Sequence, residues 1–264
     1  MFGKPLAVEA DDPELRSRLA WLLEDLPRAT GPVRRRLRLV ATGADLTLLD
    51  GGAVLRSGMA RREAESMLLW QLNQLGASVE THAVLHAGCV AAAGRGAVLA
   101  GPSGSGKSTL VAALVQRGFA YLSDELAGYS WGDGLVWPHA VPIGLRPGGG
   151  ALLRSLPASR FEDPHRRPLR PCELSGAIGG PVPPAALVVV GHRRGATATL
   201  APLSRTEALH ELCGHALNLR ARPQTFFPAL GRLAATAPAF RLMAGDLDST
   251  CALLRGVLLG DAGT

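Results

Sequence analysis

At 264 residues with 47% apolar side chains, the chain is long enough to bury one or two cores and is not a disordered polymer. A formal net charge of +6 with only 5% aromatics offers no base-stacking surface, which argues against nucleic acid and for acidic peptide, protein or nucleotide partners. The four cysteines show no CxxC spacing for zinc or a disulfide framework, no charge-free apolar run reaches the ~18 residues of a membrane span, and Glu9, Asp11 and Asp12 precede any signal-peptide core, so the expected location is cytoplasmic, off the membrane.

Residues 1–80 read as a small α+β module. Glu14–Leu26 is an amphipathic helix stopped by Pro27, and Val33–Val40 and Leu46–Leu55 alternate as two strands around Thr42-Gly43-Ala44-Asp45. Ser57 or Gly58 then opens a helix with Ala60, Ala64, Met67, Leu68, Gln71 and Leu75 at helical spacing, closed by Gly76. Arg34, Arg36 and Arg38 share one strand face at period two; that face either docks an acidic segment or is simply solvated.

The second module, residues 81–264, starts with Val84–Ala93 and Ala97–Ala100, two strands joined around Gly94-Arg95-Gly96. A helix over Ser108–Arg117 and a strand over Phe119–Leu122 complete a strand–loop–helix–strand crossover, and the last strand is expected beside Ala97–Ala100. The antiparallel strand ahead of the crossover implies a mixed sheet. Pro142–Pro184 is rich in Gly, Pro and Arg, either a lid or a poorly ordered stretch. Ala186–Val190 is a buried strand, with Thr197–Ala201 as its expected antiparallel neighbour. Residues 204–219 and Asp248–Leu259 read as helices.

The chemistry concentrates at residues 101–109, Gly-Pro-Ser-Gly-Ser-Gly-Lys-Ser-Thr, a complete Walker A phosphate loop. Gly101, Ser103, Gly104, Ser105, Gly106 and Thr109 are expected to bring backbone amides around phosphate oxygens, at the positive end of the following helix. Lys107 supplies a compact charge for the β- and γ-phosphates, and the Ser108 hydroxyl suits Mg²⁺. The chain has only two lysines, Lys4 and Lys107, against 26 arginines, so Lys is kept where a planar guanidinium would not fit. The strand after the crossover ends in Ser123-Asp124-Glu125. There Asp124 can accept a hydroxyl proton and Glu125 can bind the metal, unless the pair is merely an acidic turn. His86, on an apolar strand, reads equally as a core histidine. His210 and His215 resemble an HExxH zinc signature, but a spacing of five sets the rings about 140° apart around a helix, so no metal site is expected there.

The run Gly101–Thr109, Arg117-Gly118-Phe119 and Tyr121-Leu122-Ser123-Asp124-Glu125, with His86-Ala87 upstream, resembles the catalytic domain of HPr kinase/phosphorylase. It is closer still to the shorter HPr-kinase-related proteins, some of which are similar to kinases of lasso-peptide gene clusters. The resemblance covers residues 82–146 and is diffuse beyond, where Asn218 and Ala239–Leu242 fit loosely. It implies a mixed-sheet α/β P-loop kinase domain of HPr-kinase type after a small α+β module. It also implies Asp124 as catalytic base, His86 near the transferred phosphate and Ser108 as a metal ligand. The chain departs from that pattern in Thr109 for Glu, in Glu125 for Asp and in its smaller N-terminal module, which speaks against HPr as acceptor and against the reverse reaction.

The expected activity is therefore ATP- and Mg²⁺-dependent phosphorylation of a serine in a peptide or small protein, a ribosomal peptide precursor included. Arg166, Arg167 and Arg170 either contact substrate or phosphate, or form a solvated basic loop. The rival readings are a nucleotide-gated binding module without transfer and a small-molecule kinase. The oligomeric state is left open, a homo-oligomer included.

Overall fold

The computed structural model describes Phe2 and residues 4–158, 166–193 and 195–260, in two compact units, Met1–Ser78 and Val79–Thr264. Within the expected Pro142–Pro184 stretch, residues 159–165 lie outside the described set.

The first unit runs β1 (Leu6–Ala10), α1 (Pro13–Leu23), β2 (Arg35–Thr42), β3 (Asp45–Asp50), β4 (Ala53–Met59) and α2 (Arg61–Ala77). Its sheet has the order β1-β2-β3-β4, with β1 parallel to β2 and the other pairs antiparallel. Alternation puts Leu37 and Leu39 of β2 inside, at 0% exposure, while Arg36 and Arg38 face water. Asp12 caps α1 by accepting from the Leu15 N–H at 2.7 Å. Arg18 of α1 grips Glu65 of α2 through two hydrogen bonds, one of them 2.7 Å long. Two expectations need correction. The strand 46–55 is broken at Gly51-Gly52, both at positive φ, into the hairpin β3–β4. Ser57 and Gly58 consequently belong to β4, and α2 begins at Arg61.

The second unit runs β5 (His82–Ala92), β6 (Arg95–Ala100), α3 (Lys107–Val115), β7 (Ala120–Ser123), β8 (Leu126–Ser130), β9 (Val136–Trp137), β10 (Ile143–Leu145), α4 (Pro147–Gly150) and β11 (Arg167–Leu169). A 3₁₀ turn at Pro171–Leu174 follows, then β12 (Pro184–His192), β13 (Thr199–Leu203), α5 (Arg205–His215), α6 (Pro223–Thr236), β14 (Ala239–Ala244) and α7 (Leu247–Leu259). The main sheet has the order β13-β14-β12-β6-β5-β8-β9, with β7 also on β5, and is mixed. Strands β6, β12 and β14 are mutually parallel, whereas β5 is antiparallel to β6, β7 and β8. Period-two alternation divides the core between the two faces. Leu99 and Val188 pack with Leu110 and Leu114 of α3 and Leu254 of α7. Val98 and Leu187 pack instead with Leu212 of α5 and Leu230 and Leu233 of α6.

Two pairings differ from expectation. Strand β7 does not lie beside the loop-bearing β6, because β5 comes between them. Strand β13 pairs with β14 rather than with β12, since β14 returns parallel to β12 and takes that edge. Asn218 ties β5 to the end of α5: its Oδ1 accepts from the Val84 N–H at 3.1 Å and its Nδ2 donates to the His82 carbonyl at 2.9 Å.

Candidate active site

Strand β5 positions the site by its register. On one edge Ala87 faces Ala100, the last residue before the phosphate loop. On the other edge β7 ends at Ser123 opposite Cys89, and β8 resumes at Leu126 opposite His86. The break between β7 and β8 is Asp124-Glu125. The loop and the acidic pair therefore emerge at the same level on the two edges of one strand, with His86 beside them. Gly88 lets α3 settle onto β5: a methyl group there would come within 2.7 Å of Val111 Cγ2.

Glycine is needed in the loop itself. Gly101 has φ 153°, and a side chain there would meet the Val190 carbonyl at 2.6 Å and Ser105 Oγ at 2.9 Å. Gly106 turns into α3 at φ 91°. The first amides of α3 then open toward the space the loop encloses. Lys107 folds back beneath the loop, donating to the Gly101 carbonyl at 2.6 Å and the Pro102 carbonyl at 3.1 Å. Burial pulls its pKa below the ordinary lysine value, with Asp124 and Glu125 opposing that pull.

His86, Ser103, Gly104, Gly106, Lys107, Ser108, Thr109, Asp124, Glu125, Gly144, Arg146, Gly149 and Arg166 all line one cavity of about 210 Å³. Asp124 is 2% exposed. Its Oδ2 accepts from the Gly144 N–H at 3.1 Å, while Oδ1 is shielded from water with no hydrogen-bond partner. The Ser108 hydroxyl is near enough to ease the carboxylate charge without a well-formed bond. Burial, reinforced by the Glu125 carboxylate, pushes the Asp124 pKa up to about 7, against the pull of Gly144, Ser108 and Arg166. Glu125 lies between the Arg166 guanidinium at 3.0 Å and the His86 imidazole, whose Nδ1 is 3.6 Å away.

The residues expected from sequence do not all meet here. Gly101 and Ser105 shape the loop from behind, outside the cavity lining. Of the three arginines, Arg166 reaches the cavity, whereas Arg167 and Arg170 do not line it. One residue was missed, and another was considered only as a metal ligand. Arg146, on the stretch before α4, reaches Ser103 Oγ at 3.2 Å on the rim of the loop. His215 ends α5, close enough to Lys107 and His86 to feel their charge, and burial first, then Lys107, pushes its pKa down. No local pattern marks Arg146, and the near-HExxH spacing around His215 pointed to zinc rather than to the loop. They arrive from 39 and 108 positions beyond Lys107 by the folding of distant elements.

The donor set fits a magnesium nucleotide. The loop is a cradle that a Cβ at Gly101 would fill, and the Ser108 hydroxyl and the Glu125 carboxylate are hard oxygen ligands. Among the described residues no group of three or more His, Cys, Asp or Glu forms a metal cage. Magnesium held by one or two side chains plus phosphate oxygens needs no such cage. No described helix is long and apolar enough to cross a membrane.

No protein-family model matches the chain, and no curated protein does. Among solved structures the chain is similar to the HPr(Ser) kinase/phosphatase from Coxiella burnetii, with a TM-score of 0.37 and 10% sequence identity, over 68% of this chain and 99% of that one.

Proposed function

We propose that this chain is a kinase that uses ATP and Mg²⁺ to phosphorylate a serine hydroxyl on a peptide or small protein. One observation carries the reading: a water-shielded carboxylate, Asp124, with its pKa pushed up to about 7, lines the same cavity as the phosphate loop. A base poised near neutrality suits deprotonation of a weakly acidic alcohol.

In this reading the amides at the start of α3 and the Lys107 ammonium hold the β- and γ-phosphates. Ser108 and Glu125 hold the metal, which when bound neutralises phosphate charge and orients the terminal group. Asp124 Oδ1 takes the serine proton as the hydroxyl oxygen bonds to the γ-phosphorus, and the bond from that phosphorus to the β–γ bridging oxygen breaks to release ADP. The Gly144 N–H fixes the carboxylate by its bond to Oδ2. His86 stands beside Glu125 and steadies it, and Arg146 closes the rim near Ser103. About 210 Å³ around Asp124 has room for a terminal phosphoryl and a hydroxyl-bearing side chain, less than the ~300 Å³ and upward of typical whole-ligand sites. This favours an acceptor presented from outside over an enclosed small molecule.

The test is co-expression with the neighbouring open reading frames, followed by intact-mass measurement. A single added phosphate on one product, absent with Lys107→Ala, is the expected result. ATP-dependent partner binding without a phosphorylated product would favour the nucleotide-gated binding module.

A further inference from the structure

A second cavity opens from the same loop on the other flank of α3. It holds about 950 Å³, against about 210 Å³ beside Asp124. Gly106, Thr109 and Gly149 line both, so the two spaces meet at the first turn of α3. The far walls are the segment after β12 and the junction between β14 and α7. A phosphate chain whose terminal group faces Asp124 must lead its other end away from Asp124. The large cleft is the space available in that direction.

The cleft has the chemistry of a planar, uncharged group rather than of another anion. At its floor Gly245 brings two backbone segments together: a methyl group there would come within 2.6 Å of both the Ala196 carbonyl oxygen and the Ala198 nitrogen. His192 stands exposed at the loop, its Cβ 4.0 Å from where a Cβ on Gly106 would lie, and an imidazole is a flat ring suited to stacking. Leu152 is 62% exposed at the opposite lip, an apolar surface with nothing in the unit covering it. The charge at the distal end is balanced only across four groups: Arg154 at 3.0 Å and Arg117 at 2.5 Å both bond Asp248, and Asp246 supplies the second carboxylate. The volume lies within the range of sites for drug-sized ligands, about 300–1,000 Å³.

We propose that this cleft is the nucleoside subsite: base and sugar lie between His192 and Leu152 over the Gly245 floor, with Arg193 at the mouth for the innermost phosphate. The proposal rests on the phosphate-loop reading above and adds the part of the donor it selects. The sequence gives no local sign of the site, because its walls come from elements far apart in the chain.

The experiment is calorimetric titration with Mg²⁺–ATP and with Mg²⁺–inorganic triphosphate, on the full chain and on Thr197→Trp, an exposed position that an indole would fill. The expected result is that the unaltered chain binds ATP at least tenfold tighter than triphosphate. Thr197→Trp should bring ATP down to the triphosphate level and leave triphosphate binding unchanged, which also shows that the variant is folded. His192→Ala should narrow the gap in the same direction with less steric change. Equal affinities for the two ligands in the unaltered chain, or an ATP affinity untouched by both substitutions, would overturn the subsite. Failure of both ligands to bind the unaltered chain would overturn the phosphate-loop reading itself.

Discussion

The two units hold comparable clusters of charge and use them differently. On the sheet of the first unit, Arg35 pairs with Asp50, Arg36 with Glu9 and Arg38 with Asp11, all at the surface. Of the arginines that might have docked an acidic segment, Arg36 and Arg38 thus already have acidic neighbours, Glu9 on the adjacent strand β1 and Asp11 just beyond its end. In the second unit Lys107, Arg146, Arg166, Asp124 and Glu125 converge on one cavity, and the Asp124 carboxylate is buried with one oxygen unpartnered. Exposed charge pairs are screened and cost little to lose, whereas a buried ionisable group without full compensation changes its own acidity. Counting basic residues therefore says less about function than locating the buried group.

The contrast can be broken most severely at Lys107. Its replacement by Met should remove both nucleotide binding and transfer, because no other lysine or described cation lies beneath the loop; titration with Mg²⁺–ATP reads this directly. The next effect is a pH dependence. The Asp124 pKa is raised from 3.8 to about 7 in the folded chain, so the folded state binds a proton more tightly than the unfolded one. Stability associated with this group is present below pH ~4 and is lost as pH rises through about 7. Asp124→Asn should accordingly melt higher than the unaltered chain at pH 8, and the difference should shrink by pH 5; equal gaps at both pH values would contradict the burial argument. At Gly88 a methyl group would press on Val111, so Gly88→Ala should cost about 1–3 kcal/mol in denaturant unfolding and weaken nucleotide binding by lifting α3 from β5. The smallest effect belongs to the first unit. Arg36→Ala and Arg38→Ala should each change stability by less than about 1 kcal/mol and leave transfer within twofold.

How much of this was legible depended on whether the signal was local. The phosphate loop, the helix after it and the Ser123-Asp124-Glu125 run are contiguous, and each carries its chemistry in a few residues. The insertion of β5 between β6 and β7 is set by long-range pairing, so the acidic pair was expected one strand too close even though its level at the loop was foreseen. Helix α6 went unread because Pro223, Pro228 and Gly231 mask it; its stripe Phe226, Ala229, Leu230, Leu233 and Ala234 is apolar at helical spacing all the same. Strand β1 is short and was hidden by its Glu9, whose partner Arg36 lies 27 residues away. Arg146 and the large cleft had no sequence signature, since they exist only where separate elements meet.

The most direct measurement compares Asp124→Asn with the unaltered chain in two assays, Mg²⁺–ATP affinity by calorimetry and transfer of the labelled γ-phosphate to the co-expressed acceptor. With the loop intact, affinity should stay within about threefold while transfer falls by about 10²–10⁴, the range expected for loss of a general base. Near-normal transfer by Asp124→Asn would contradict the account.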